Sequence, residues 1–331
     1  MKTIIKTIIK FATSTAIIMA ATSTSVYAKE TTIGVVVKIG GIPWFNAMEQ
    51  GIEEAGKKLG VNAFMIGPTS ADPALQVRAI EDLIARKVDV IGVVPNDAKV
   101  LEPVLKRARE AGIKVITHES IETINKDYDF ELVSTKAFGI ANARLFAKST
   151  GCKGDYAVYV GSLTVPAQNA WADAAIGYLK KNCPSMKQVS ERFGVAESVD
   201  DSRTTTLDLL QSHPKLAGIL AFGSQGPIGA ARAVEERGLT GKVAVVGLFS
   251  ASQGRRLVHD GSLTGGFVWS PIEAGKAFVE LGKKLADGGS VKDGDTLPAL
   301  GKIVLEGNNI IANKPLELNS KSVDVLAKLG L

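Results

Sequence analysis

Few residues in this chain have the types and spacing of a reaction centre. Its three histidines, His118, His213 and His259, stand 95 and 46 residues apart with no second ligand three or four positions away, so no metal site is expected. No G-x-x-x-x-G-K-[ST] occurs, and the first apolar run is followed by IGGIPW instead of G-x-G-x-x-G, so no nucleotide cofactor is expected. Ser224 in AFGSQG lacks the glycine two positions earlier that a nucleophile elbow needs. No triad or paired carboxylates stand out, and no catalytic residue is expected.

Residues suited to non-covalent capture recur instead. Lys38 is followed by Trp44 and Phe45, His118 by Glu119 and Ser120, Thr164 by Gln168, Asn169 and Trp171, Phe222 by Ser224, Phe249 by Ser250, and Trp269 by Ser270. All three tryptophans fall in this set, in a chain only 6% aromatic. Aromatic faces suit the C–H faces of sugar rings, while ammonium, carboxylate, amide and hydroxyl groups replace water around sugar hydroxyls. The plain alternative at any one position is a core aromatic beside a helix cap.

Each group follows an apolar, β-branched run, which indicates that strands deliver them. Thr32–Lys38 is apolar almost throughout, the mark of a strand covered on both faces. Phe45, Met48, Ile52, Ala55 and Leu59 follow at helical spacing and end in Gly60. The alternation continues with strands at Val61–Ile66, Val90–Val94 and Lys114–Thr117 and helices at Pro73–Arg86 and about Val100–Ala111. It restarts after Ser134 with helices at about Ala137–Ser149, Gln168–Lys181, Thr204–Ser212, Pro227–Glu236, Ala251–His259 and Pro271–Leu285. Strands at Tyr156–Val160, Met186–Phe193, Gly218–Phe222, Val243–Gly247 and Thr264–Trp269 lie between them. Such alternation specifies an α/β fold of right-handed βαβ units in doubly wound parallel sheets. The length favours two sheets of five or six strands over one of about ten. In open parallel sheets ligands bind beyond the carboxyl ends of the strands, where the candidate residues stand.

The N-terminus carries Lys2, Lys6 and Lys10 ahead of an apolar stretch from Phe11 to about Ala21, then Val26 and Ala28 at the small-residue positions of a cleavage site. The stretch is too short to span a bilayer, so residues 1–28 are expected to be a signal peptide cleaved after Ala28. The whole chain has 39 basic and 34 acidic residues; without the three leader lysines 36 basic remain, a net charge of +2, and a nucleic-acid partner is not expected. No cysteine near the cleavage site could accept a lipid, and a Gram-negative periplasm is the simplest location. That compartment permits oxidation of the two cysteines, Cys152 and Cys183. One precedes a strand and the other ends the returning helix, so a bridge is favoured over two free thiols.

These residues together resemble the type I periplasmic binding proteins of sugar ABC importers, of the ribose-binding kind. The resemblance spans the mature chain and is carried by TIGVVVKIGGIPWFNAMEQGIEEAGKKLGV, QVRAIEDLIARKVDVIGVVPND, LKRAREAGIKVITHES, ILAFGSQGPIGAARAVEERG, VAVVGLFS and GGFVWSPIEAGK. It implies two lobes joined by three hinge strands, with crossings near Val133–Ser134, Trp269–Ser270 and Leu297–Gly301. The lobes would then comprise residues 29–133 with 270–298, and 134–269 with 299–331. Lys38 matches the pattern of the autoinducer 2-binding and rhamnose-binding branch. Trp44 and Phe45 match the aromatic pair that sandwiches a sugar, Glu119 the acid that grips ring hydroxyls, and Gln168 a polar residue of the second lobe. The chain departs from the autoinducer branch at Ala167, where that branch has an acid, and at Phe222, where it has proline. Ribose-type proteins would have an aspartate near Phe249 and an asparagine near Gly223.

The implied function is capture of a monosaccharide-sized sugar or polyol, as a monomer, for delivery to an ABC permease in the inner membrane. Lys38 and Glu119 offset each other, which suits a neutral polyol, and Phe222, Phe249 and Trp269 suit a deoxy sugar. The competing readings are a sensing module that reports autoinducer 2 or a sugar to a chemoreceptor, and an exported sugar-modifying enzyme.

Overall fold

The computed structural model describes residues 30–331, so the expected leader and its cleavage site lie outside the described residues. The first lobe opens with β1 (Thr32–Val36), α1 (Pro43–Leu59), β2 (Asn62–Ile66), α2 (Pro73–Ala85), β3 (Val90–Val93), α3 (Ala98–Glu110), β4 (Lys114–His118) and β5 (Tyr128–Glu131). The chain then crosses into α4 (Thr135–Thr150), β6 (Asp155–Val160), α5 (Pro166–Asn182), β7 (Lys187–Gly194), α6 (Val199–Ser212), β8 (Leu216–Ala221), α7 (Gly226–Glu236), β9 (Ala244–Gly247), α8 (Ala251–Asp260) and β10 (Gly266–Val268). It returns through α9 (Pro271–Ala286), β11 (Thr296–Leu297), β12 (Gly301–Lys302), β13 (Val304–Glu306) and β14 (Asn309–Ile311), and ends in β15 (Leu316–Leu318) and α10 (Val323–Lys328).

One sheet has seven strands in the order β13-β14-β5-β4-β3-β1-β2, parallel except for β13. The other has four parallel strands in the order β7-β6-β8-β9. A parallel bridge from Val246 to Gly265 extends the latter toward β10, which pairs antiparallel with β15. The expected five or six strands per sheet therefore become seven and four. The excess in the first sheet comes from β5, which the sequence pattern did not indicate, and from the β13–β14 hairpin.

That hairpin also moves a boundary. Ile310 pairs with Phe130 in β5, Ala312 donates to Glu131 O at 2.8 Å, and Lys314 donates to Leu132 O at 2.9 Å. Residues 304–311 thus belong to the first sheet, β12 before them pairs with β11, and the third crossing falls at about 312–315 instead of Leu297–Gly301. The first and third crossings run side by side because the sheet ladder of β5 and β14 continues into them.

In the first lobe α1 and α9 pack on one face of the sheet, while α2 and α3 cover a separate apolar cluster on the other, including Val36, Ile80, Leu83, Ile91 and Leu105. The α1–α9 approach depends on two glycines: a Cβ on Gly51 would lie 2.0 Å from Ile272 O, and one on Gly275 would lie 2.1 Å from Met48 O. This contact sets Trp269, just before α9, edge-on to Trp44 at 5.4 Å between ring centroids. Cys152 and Cys183 form a disulfide with a Cα–Cα distance of 5.0 Å, joining the ends of α4 and α5. Among the described residues no helix is long and apolar enough to cross a membrane.

Candidate ligand site between the lobes

The carboxyl ends of the strands in both lobes face a common interior. Lys38 lies two residues beyond β1, Glu119 follows β4, Glu197 lies between β7 and α6, Ser224 follows β8, and Leu248 follows β9. Trp44 and Phe45 come from the first turn of α1, started by Pro43 at a position where its missing N–H costs nothing. Gln168 and Trp171 come from the first turns of α5, also opened by a proline, Pro166. These nine residues enclose a cavity of about 10 Å³, the space of roughly one water molecule.

At its centre Lys38 Nζ lies 2.6 Å from Glu119 Oε2 and 3.9 Å from Glu197 Oε1, with all three side chains under a tenth exposed. Lys38 and Glu119 belong to the first lobe and Glu197 to the second, so this cluster spans the cleft. Burial by itself would draw the lysine down, but Glu119, Glu197 and Glu131 outweigh it and hold the ammonium above its ordinary range. Burial pushes the Glu197 carboxyl up, against the opposing pull of Lys38 and of Gln168. Gln168 bridges locally: its Nε2 donates to Glu197 Oε1 at 2.7 Å and its Oε1 accepts from Gly161 N at 2.5 Å. Thr164 Oγ1 adds a second contact between lobes, donating to Asn96 O at 3.1 Å.

A buried amide pair fixes the Lys38 backbone. Asn96 Nδ2 donates to Lys38 O at 2.9 Å, and Gln76 Nε2 donates to Val37 O at 3.1 Å and to Val94 O at 2.9 Å. Glu119 adopts φ +62°, a left-handed conformation that costs a residue with a Cβ about 1 kcal/mol or more. Such conformations concentrate at functional sites.

Behind Glu119, His118 stacks on Phe130 at 4.5 Å and pairs through Nδ1 with Phe130 O at 2.7 Å. Burial keeps the imidazole neutral, holding its pKa below the usual range. Asp129 and Glu131 project from the same face of β5. Asp129 Oδ1 accepts from Thr117 Oγ1 at 2.6 Å and Ser120 N at 3.1 Å, while among the described residues Asp129 Oδ2 and Glu131 Oε1 have no hydrogen-bond partner. Burial raises Asp129 to about 7 and, together with Asp129 itself, Glu131 well above the ordinary carboxylate range.

Seven expected residues meet in the cavity: Lys38, Trp44, Phe45, Glu119, Gln168, Trp171 and Ser224. Four do not line it. Asn169 turns back to Ser162 O and Val165 O through Nδ2 and accepts from Arg192 Nη1 at 2.7 Å. Phe222 and Phe249 are fully buried, the latter beside Gly254. Trp269 is likewise buried, and its indole packs against Trp44, Trp171, Phe138 and His118 as the support for the aromatic wall.

Glu197 was missed because α6 begins at Val199 instead of Thr204. Ser198 caps that helix, accepting from Asp201 N, and Asp200 and Asp201 favour its positive end. Reading VDDSR as a polar loop hid the fact that Glu197 ends a strand-to-helix turn like the others. With Glu197 included, the cavity holds one ammonium and two carboxylates, which replaces the balanced Lys38–Glu119 pair expected from sequence.

The roomier grooves lie elsewhere. One of about 620 Å³ runs behind the crossings, among Leu132, Ser270, Leu316 and Leu331. Its two cations are already paired, Lys276 with Glu54 at 3.1 Å and Glu273 at 3.5 Å, and Lys314 with Glu273 at 3.7 Å. The interlobe site, unlike this groove, combines buried polar groups from both lobes with aromatic walls.

Two α/β lobes, three chain crossings and a buried polar and aromatic centre shared between them define a bilobal ligand-capture protein. The chain belongs to the periplasmic binding protein family, whose periplasmic binding protein domain matches residues 33–290. It is 26% identical over 281 residues to the ribose import binding protein of Salmonella typhimurium, covering 82% of this chain and 90% of that one. Its fold is similar to an ABC transporter solute binding protein from Clostridium phytofermentas with bound L-rhamnose, with TM-score 0.85, 25% identity, and 92% of this chain and 100% of that chain covered. It is similar in fold alone to LsrB of Clostridium saccharobutylicum in complex with AI-2, with TM-score 0.84, 20% identity, and coverage of 89% and 99%.

Proposed function

We propose that this protein is an exported, periplasmic solute-binding protein that captures a monosaccharide-sized sugar or polyol between its lobes and presents it to an ABC permease. The observation that carries this reading is the interlobe centre itself: Lys38, Glu119, Gln168 and Glu197 converge beside Trp44, Phe45 and Trp171. Trp171 Nε1 is buried without an acceptor. A ring hydroxyl supplies one, and the aromatic faces take the apolar side of the ring. The relatives named above are a ribose import binding protein, a solute binding protein with bound L-rhamnose and a protein in complex with AI-2, in agreement with this chemistry.

Capture needs no chemical step. With about 10 Å³ between the side chains, a sugar enters only when the lobes part at the three crossings, breaking the Lys38–Glu197 and Thr164–Asn96 contacts. A ligand that replaces those contacts with its own favours closure by its differential affinity for the closed form. Ile121 and Ile124, in the loop after Glu119, and Leu163, beside Thr164, are exposed apolar residues on the cleft side of the two lobes and suit a permease surface that reads the closed form.

A thermal-shift screen of residues 29–331, unfolded and refolded to remove carried ligand, tests the proposal against pentoses, hexoses, deoxyhexoses, amino sugars, alditols and autoinducer 2. A ligand at 100 times its Kd adds about 2.7 kcal/mol of apparent stability. Trp44→Ala and Glu119→Ala are expected to abolish the shift while retaining the far-UV circular dichroism spectrum. A shift unchanged in both variants removes the site assignment, and turnover of any sugar to a product favours the enzyme reading.

A further inference from the structure

We infer that the interlobe site is built for a ligand bearing one positive charge, an amino-substituted sugar or polyol whose ammonium is accepted by Glu197. The inference rests on the capture reading above and narrows its ligand class.

The charges at the cavity do not balance. Lys38 is the one basic residue among the nine that line it, against the carboxylates of Glu119 and Glu197. Nor is the lysine shared evenly. Its contact with Glu119 is 2.6 Å, within hydrogen-bond range, and the distance to Glu197 is 3.9 Å. The close partner of Glu197 is instead a neutral amide, Gln168 Nε2 at 2.7 Å. A buried carboxylate whose one hydrogen-bond donor is neutral, and whose nearest ammonium is 3.9 Å away and bonded to another carboxylate, is under-compensated, because charge-assisted hydrogen bonds are about twice as strong as neutral ones.

The surroundings do not repair this deficit. The basic side chain closest in sequence on the second lobe, Arg192, is committed to Asn169 and Asp173. His118, behind Glu119, is neutral, and Asp129 and Glu131 behind it are acidic. The walls act in the same direction: Trp44, Phe45 and Trp171 line the cavity with the ring type that attracts ammonium groups, and Lys38 Nζ already lies 6.0 Å from the Phe45 ring centroid. An amino sugar places a cation against Glu197 and these rings, and its hydroxyls meet Glu119, Gln168, Ser224 and the unpaired Trp171 N–H. A neutral sugar leaves the second carboxylate with only the more distant Lys38, at 3.9 Å, as a charge partner.

Titration calorimetry on the refolded chain with matched pairs tests this: D-glucosamine against D-glucose, D-galactosamine against D-galactose, D-mannosamine against D-mannose, and each N-acetylated amine as a neutral control. In at least one pair the free amine is expected to bind about tenfold or more tighter than both neutral partners, equivalent to ~1.4 kcal/mol. Glu197→Gln, nearly isosteric, is expected to bring that ratio close to one. The wild-type ratio alone decides the question if the variant fails to fold. Tighter binding of the neutral member in every pair overturns the inference while leaving sugar capture intact. Absence of binding by every amino and neutral sugar overturns both, and a preference for the amine that survives Glu197→Gln removes the role assigned to Glu197.

Discussion

The buried acid pair on β5 makes an unusual prediction about pH. Asp129 is fully buried and titrates at about 7 in place of the ordinary 3.8. Three units at about 1.4 kcal/mol each amount to roughly 4 kcal/mol between its neutral and ionised forms. Because the folded-state value lies above the unfolded one, the folded protein binds the extra proton across this window. Its stabilising contribution is complete below about pH 4 and is lost as the pH rises through about 7. Most buried, ion-paired carboxylates act in the opposite sense.

Asp129→Asn removes the titration and keeps an oxygen for Thr117 Oγ1 and Ser120 N. Urea unfolding of both proteins from about pH 4 to pH 8 is therefore expected to show wild type losing stability relative to the variant as pH rises. The difference grows by at most ~1.4 kcal/mol per pH unit for one proton. At the alkaline end the variant is the more stable protein, because Glu131 then has an amide beside it in place of a second carboxylate. Curves that run parallel over the whole range would refute the reasoning, since a carboxyl that titrates alike in the folded and unfolded chain has no differential uptake to lose.

Three further outcomes are expected. Thr164→Val removes the hydrogen bond to Asn96 O that links the lobes only when they are together, so ligand affinity should fall about two- to twelvefold, about 0.5–1.5 kcal/mol, with thermal stability of the ligand-free chain little changed; equal Kd values by calorimetry would exclude that contact as a latch. Gly275→Ala drives a methyl to 2.1 Å from Met48 O at the α1–α9 contact and should lower stability by about 1–3 kcal/mol or more; a melting temperature equal to wild type would mean that the two helices separate freely. Reduction of Cys152–Cys183, 31 residues apart in sequence, should cost about 3–4 kcal/mol, read as a lower melting temperature in dithiothreitol that is absent in the Cys152→Ser/Cys183→Ser variant.

Much of the fold was legible because it depends on local chemistry. Continuous β-branched runs such as TIGVV form strands covered on both faces, and three-and-four spacing forms helices such as α1. The placing of Lys38, Glu119 and Ser224 at strand ends then followed from the general position of ligand sites in parallel sheets. The illegible parts share a cause. The β5 strand reads YDFE, without a continuous apolar run like that of β1, yet Asp129 and Glu131 are buried in a sheet whose neighbouring strand, β14, lies 180 residues later in the chain. The third crossing could not be placed without that same pairing.

The pattern of residue types determined the class of this protein: two α/β lobes, aromatic and polar residues at the strand ends, and two cysteines at the ends of one strand–helix unit. Tertiary structure decided which of those residues meet. It turned Asn169 toward Arg192 and set Trp269 behind Trp44 as a support. It also brought Glu197 across the cleft to Lys38, 159 positions away in the chain. Hydrophobic periodicity is a property of neighbouring residues and survives in the sequence. The charge of a binding site is a sum over residues that only the closure of one lobe on the other brings together.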